Sequence, residues 1–173
     1  MPPRTRRPTL DGTARWSHEA VRARYRLHCG RLKVHPRALA GPHPGRPEWL
    51  DPLLRSVIEG IKAGDGACAE IGIELLEEDG GFAFGAILKA NAARALKRCP
   101  LTPAQEERVR SRVVAMLKRG FMPHEFRDYA RLLRRIGLGR HRAEVEAHHD
   151  PANPWVNWYV AYLTTDDPGR PPG

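Results

Sequence analysis

Arginines at helical spacing are the residues of this sequence best suited to binding chemistry. They form two sets, Arg108, Arg112 and Arg119 on one predicted helix and Arg127, Arg131 and Arg134 on the next. Steps of three, four or seven residues place side chains on one side of a helix. A guanidinium fork matches phosphate geometry, and a row of cations attracts nucleic acid by releasing counterions. The pattern predicts an anion-binding or nucleic-acid-binding face, although no aromatics interleave with these arginines as stacking platforms would require. The alternative is a solvated, arginine-rich face.

A second candidate is the segment PWVNWYVAYL near the end of the chain, which is apolar nearly all round. Its aromatic residues form one helical stripe: Trp155, Trp158, Tyr159 and Tyr162. A helix of this kind must be covered on both sides. Two interpretations stay open, since the stripe could pack in the core as a terminal cap or could anchor a partner protein, where Trp and Tyr often dominate the binding energy.

Potential metal ligands concentrate only in HRAEVEAHHD, residues 141–150. On a helix, His141, Glu144 and His148 would share one side. The segment has a single ExxH, whereas di-iron bundles need two with further carboxylates, and HExxH is absent. We therefore predict an exposed polar helix and no metal. A stripe of glutamates, Glu70, Glu74, Glu77 and Glu78, is likewise predicted to be a solvated face or to pair with Arg or Lys of a neighbouring helix.

Catalytic and cofactor motifs are not apparent in the sequence, which lacks GxSxG, P-loop and GxGxxG patterns. The three cysteines lie far apart, and Cys68 and Cys99 fall on or beside apolar helix faces, which favours core positions over nucleophiles. Asn91 is expected to be a hydrogen-bond partner in the core. The first ten residues have no apolar stretch typical of a secretory signal, and no apolar run has transmembrane length. We expect a cytoplasmic protein that is not an enzyme, has no cofactor and does not enter a membrane.

The elements that position these residues are helices. Thr102 caps a helix that starts at Pro103, with Gln105 placed to complete a capping box, and Gly120 ends it. Pro123 opens a second helix that ends at Gly137. Further helices are predicted from about 52, 66, 82 and 154, with a short polar one over 140–149, and strand signals are nearly absent. The fold class is therefore all-α, because short loops make successive helices antiparallel neighbours.

A family resemblance rests on DGACAEIGIELLEEDG, FGAILKANAARALKR and the hairpin LTPAQEERVRSRVVAMLKRGFMPHEFRDYARLLRRIG. With these segments, residues 47–164 resemble α-helical repeat proteins of the HEAT or armadillo type, including uncharacterised bacterial ones. Alternate helix starts are about 30 to 41 residues apart, within the range of such repeats. The resemblance implies antiparallel hairpins stacked as a short α-solenoid with a partner-binding surface. At most three pairs and no recurring consensus leave an irregular bundle as the alternative.

Charge divides the chain unevenly. The net charge is +9, and residues 1–46 contain 11 Lys and Arg against Asp11 and Glu19, so this quarter carries the whole excess. Low apolar content predicts a basic, largely disordered arm over 1–46 with a short, marginal helix at about 18–28, unless the native start lies downstream at Val21 or Val34. A helical domain over 47–165 and a disordered tail over 166–173 follow. We expect a protein-interaction or scaffold module that binds a partner protein. The alternative is a nucleic-acid-associated protein that binds phosphate through its basic arm and its Arg-rich helix faces.

Overall fold

The computed structural model describes residues 15–79 and 85–172 and contains eight α-helices and no β-strand within these ranges. The prediction of an all-α fold is confirmed. The chain divides into two compact units between Pro100 and Leu101, so the single helical domain predicted over 47–165 is two units, described separately below.

Unit 1 is built around one enclosed helix. Its helices are α1 (His18–Leu32), α2 (Asp51–Lys62), α3 (Gly66–Glu77) and α4 (Gly85–Leu96). Every residue of α3 from Ala67 to Leu76 is buried, because α1, α2 and α4 all pack against it. Asp65 starts this helix, since its Oδ1 accepts hydrogen bonds from the amides of Ala67 at 2.8 Å and Cys68 at 3.1 Å. The helix start predicted at about 82 lies outside the described residues.

Two glycines let α2 and α3 approach closely. A Cβ placed on Gly60 of α2 would lie 2.3 Å from Sγ of Cys68, and one on Gly72 of α3 would lie 2.6 Å from Cδ1 of Ile61. Both distances are far below van der Waals contact. The backbones of these helices can therefore pack at this separation only while the two positions lack side chains.

Helix α1 corrects the prediction of a short, marginal helix at about 18–28 within residues 1–46. It is longer than predicted, and its apolar stripe, Val21, Tyr25 and Cys29, is buried together with Trp16. The hydroxyl of Tyr25 also donates to Oδ2 of Asp65 at 2.7 Å. The stripe looked thin in the sequence because much of the contact with α3 is ionic rather than apolar.

The ionic contact between α1 and α3 uses the predicted acidic stripe. Glu74 accepts from Nε of Arg24 at 2.7 Å and lies 2.8 Å from Nε2 of His28. Glu70 pairs with Arg31 at 2.9 Å. Both carboxylates are buried, so a solvated face is the wrong interpretation for them. The alternative, pairing with cations of a neighbouring helix, is what the structure contains.

Unit 2 comprises α5 (Pro103–Lys118), α6 (Phe126–Ile136), a 3₁₀ turn (Gly139–His141), α7 (Arg142–Glu146) and α8 (Pro154–Thr164). The capping box of Thr102 and Gln105 is present as predicted, and α6 starts three residues after Pro123 because a turn precedes it. Arg110 of α5 donates to the carbonyl oxygens of Ile136 and Gly137, both at 2.9 Å, which satisfies the C-terminal end of α6. These contacts hold α5 and α6 together as a hairpin.

Across the described residues, no helix has the combination of length and apolar character that crossing a bilayer requires.

Candidate binding surface

Helices α6 and α8 bring the second predicted set of arginines and the predicted aromatic stripe together. Phe126 of α6 packs edge-on against Tyr159 of α8 with ring centroids 4.9 Å apart, and both side chains are buried. This pair fixes α8 beside α6. The residues around it form what we call the Arg-aromatic surface: Arg127, Arg131 and Arg134 of α6 with Trp155, Trp158 and Tyr162 of α8.

The aromatic half of the surface is a contiguous series of rings. Trp158 stacks on Tyr162 with centroids 5.3 Å apart and planes 20° from parallel. Trp155 meets Trp158 edge-on at 6.1 Å. Trp155 is 40% exposed, whereas Tyr159 is only 7% exposed and belongs to the core. The core interpretation of the aromatic stripe therefore applies to Tyr159, and partner binding by the exposed Trp155 stays a prediction.

One arginine of the basic half lies directly against these rings. The guanidinium carbon of Arg134 is 4.6 Å from the ring centroid of Tyr162, which is a cation–π contact. Burial raises the pKa of Tyr159, and the positive charges of Arg127 and Arg131 oppose this rise. Arg131 has Asp128 at 3.8 Å, and all three arginines are exposed. The sequence shows no interleaving of arginine and aromatic residues because the aromatics come from a second helix.

The C-terminal segment, residues 165–170, crosses this surface. Nη2 of Arg134 donates to the carbonyl oxygens of Thr165 at 3.4 Å and Asp166 at 3.3 Å, and Nε1 of Trp158 donates to that of Gly169 at 3.3 Å. The prediction of a disordered tail over 166–173 did not include these contacts. The DPG turn, in which the Gly169 amide donates to Oδ1 of Asp167 at 3.1 Å, is the signal that could have indicated them.

The arginines predicted on α5 take other positions. Arg108 and Arg112 are half-buried, and Arg119 donates along its own helix to the carbonyl oxygen of Ala115 at 3.3 Å. Burial raises the pKa of Tyr129, the charge of Glu125 adds to the rise, and the charge of Arg112 opposes it. The arginine contacts described above for the Arg-aromatic surface come from α6.

The histidine-rich segment forms ion pairs. His141 contacts Glu107 through Nε2 at 3.0 Å and Glu144 through Nδ1. Lys118 donates to Glu144 at 2.8 Å, and this bond, followed by the one from His141, lowers the pKa of Glu144 to about 2. These carboxylates are engaged in tying α5 to α7. Among the described residues, no group of three or more His, Cys, Asp or Glu side chains is arranged to hold a metal ion.

Unit 1 has a groove of about 330 Å³ between α2 and α4. It is lined by Arg55, Ile58, Glu59, Lys62, Asn91, Arg94, Ala95 and Arg98. Asn91 lines this groove instead of lying in the core, and its Oδ1 accepts from Arg94 at 3.1 Å. Lys62 is paired with Glu59 at 2.7 Å, and Arg55 is paired with Asp51 of its own helix at 2.6 Å. The groove is basic, but several of its cations already have partners.

Comparison with known proteins gave no match to a protein-family model, to a curated protein or to a solved structure.

Proposed function

We propose that the protein is a protein-interaction module that binds a partner protein through the Arg-aromatic surface. The observation that carries this proposal is the 40% exposed Trp155, seated on Trp158 beside a row of exposed arginines. Trp, Tyr and Arg are the residue types that most often dominate the energy of protein interfaces. A large aromatic side chain left in water gains the most when a partner covers it.

Support also comes from the rigidity of the platform. The exposed rings stand on Tyr159, which is held by Phe126 in the core of unit 2. Asn153 caps the start of α8 by accepting from the amides of Trp155 at 3.1 Å and Val156 at 3.4 Å. A partner that binds here would therefore pay little to order the surface, which favours affinity.

Replacing Trp155 with alanine is expected to weaken binding of the partner by about 2 kcal/mol, roughly thirtyfold, because an interface anchor is lost. The measurement is quantitative mass spectrometry of proteins recovered from a cell extract on immobilised wild-type and variant chains. Leu27→Ala, which removes an exposed apolar side chain of unit 1, is the matched control. An unchanged set of recovered proteins with Trp155→Ala would contradict the proposal.

A second candidate function, binding of single-stranded nucleic acid, is favoured by one specific observation. Arg134, Tyr162 and Trp158 form a continuous stack of flat groups with a cation at one end. Bases stack on such aromatic faces while nearby arginines contact the phosphates.

For this candidate, the triple variant Arg127→Ala, Arg131→Ala, Arg134→Ala is expected to bind a fluorescein-labelled single-stranded oligonucleotide at least tenfold more weakly. The dependence of affinity on salt should also decrease, since up to three phosphate contacts are lost. The charge-matched control replaces Arg119, Arg135 and Arg142, which are also exposed in unit 2. Equal losses in both variants, or no binding by the wild type, would remove this candidate.

A further inference from the structure

We propose that the partner segment bound at the Arg-aromatic surface is an acidic peptide, whose place residues 165–170 of the chain occupy when no partner is bound. This inference rests on the proposed function and names the class of partner. Residues 165–170 have the sequence TDDPGR, which contains two adjacent carboxylates and a proline after them. The composition of this segment therefore indicates which kind of peptide the surface can bind.

The first argument is how the segment is held. Arg134 and Trp158 both donate to backbone carbonyl oxygens, those of Thr165, Asp166 and Gly169. Every peptide carries such acceptors, so another chain can present them to the same two donors. The recognition is therefore of backbone carbonyl groups.

The second argument is charge. The arginines of the Arg-aromatic surface, Arg127, Arg131 and Arg134, are exposed, and Arg131 has Asp128 at 3.8 Å. The segment brings the backbone carbonyl of Asp166 to Nη2 of Arg134, and Asp167 follows it in the chain. An acidic peptide would complement this row, and opposite charges on the two partners favour both the encounter and the alignment of the complex.

The third argument is that the segment is held weakly enough to be displaced. Its three hydrogen bonds to the surface measure 3.3 to 3.4 Å, beyond the usual range for nitrogen donors. The bond that ends α8, from the amide of Thr165 to the carbonyl oxygen of Ala161, measures 2.9 Å. The segment thus follows a well-formed helix end and contacts the surface through long hydrogen bonds.

Gly169 provides a way to loosen the segment without altering the surface. Its φ is +70°, and a Cβ added there would meet no atom within 4 Å. Gly169→Ala therefore acts only through the cost of a left-handed backbone at a residue with a side chain. Because the segment competes in cis at high effective concentration, this variant should free the surface for a peptide added in trans.

The test uses the full chain and a fluorescein-labelled peptide with the sequence TTDDPGRPP, followed by fluorescence anisotropy. We expect Gly169→Ala to bind this probe about fivefold more tightly than the wild type does. A matched peptide with both Asp replaced by Asn should bind about tenfold more weakly, and Arg134→Ala added to Gly169→Ala should lose binding.

Three results would overturn the inference: equal binding of the Asp and Asn peptides, no effect of Gly169→Ala, or no binding of the probe by either chain. Displacement of the probe by a single-stranded oligonucleotide that binds more tightly through Arg134 would also overturn it, and would assign the surface to nucleic acid. If a protein partner depends on Trp155 while the acidic probe fails to bind, the inference fails and the proposed function stands. If neither binds, both fail.

Discussion

Gly60→Ala is expected to lower the free energy of unfolding of unit 1 by about 2 to 3 kcal/mol, because the new Cβ would overlap the thiol of a fully buried cysteine. The overlap is severe, since the added atom would lie 2.3 Å from Sγ and 3.0 Å from Cβ of Cys68. Helices α2 and α3 would have to separate or Cys68 would have to move within a packed core. Urea denaturation followed by circular dichroism measures the change.

The matched control is Gly30→Ala on α1, where an added Cβ would meet no atom within 4 Å. Alanine is the better helix former by about 1 kcal/mol, so this variant is expected to be as stable as the wild type or more stable. Cys68→Ala added to Gly60→Ala should recover part of the loss, because it removes the closest overlapping atom. A Gly60→Ala chain with unchanged stability would show that the close approach of α2 and α3 is not required.

Glu74→Ala is expected to destabilise the chain by about 3 kcal/mol, because it removes the buried carboxylate that Arg24 and His28 both contact. The side chain of Glu74 is 8% exposed and that of Arg24 is 22% exposed, so water replaces the lost carboxylate poorly. Nη2 of Arg24 is already buried without a hydrogen-bond partner, and the variant would leave its Nε without one as well. Thermal unfolding followed by circular dichroism measures the effect.

Glu59→Ala is the control for this substitution. Glu59 pairs with Lys62 at 2.7 Å, but both side chains are more than half exposed, so the pair contributes little. We expect a change within about 0.5 kcal/mol. Equal effects of Glu59→Ala and Glu74→Ala would contradict the view that α1 is attached to α3 through buried ion pairs.

The parts of the fold that local signals encode were predictable from the sequence. Thr102 and Gln105 specify a capping box, and Asp65 and Asn153 cap the helices that they precede, because each contact spans only two or three residues. Helix α1 was underestimated for the opposite reason. Its partner Glu74 lies about 50 residues away in sequence, and periodicity within one segment cannot reveal such a pairing.

The candidate site was predictable as a list of residues but not as an arrangement. Both halves of the Arg-aromatic surface follow helical periodicity and were identified from it. Their adjacency depends on how α6 and α8 pack, through Phe126 and Tyr159, which neither pattern specifies. The return of the C-terminal segment onto Trp158 depends on that packing as well, so composition alone indicated only a disordered tail. Resemblance to HEAT-type repeats stays a prediction.

The enclosure of α3 fixes its rotation as well as its position. Turning the helix by one residue, about 100°, would carry Glu70 and Glu74 away from the cations of α1 and toward helices that offer apolar side chains. Because the buried charges lie on one side of α3, they favour a single rotation of the helix. A helix with apolar residues on all sides could pack in several rotations. The acidic stripe of a central helix therefore gives this half of the molecule one packing arrangement instead of a choice among near equals.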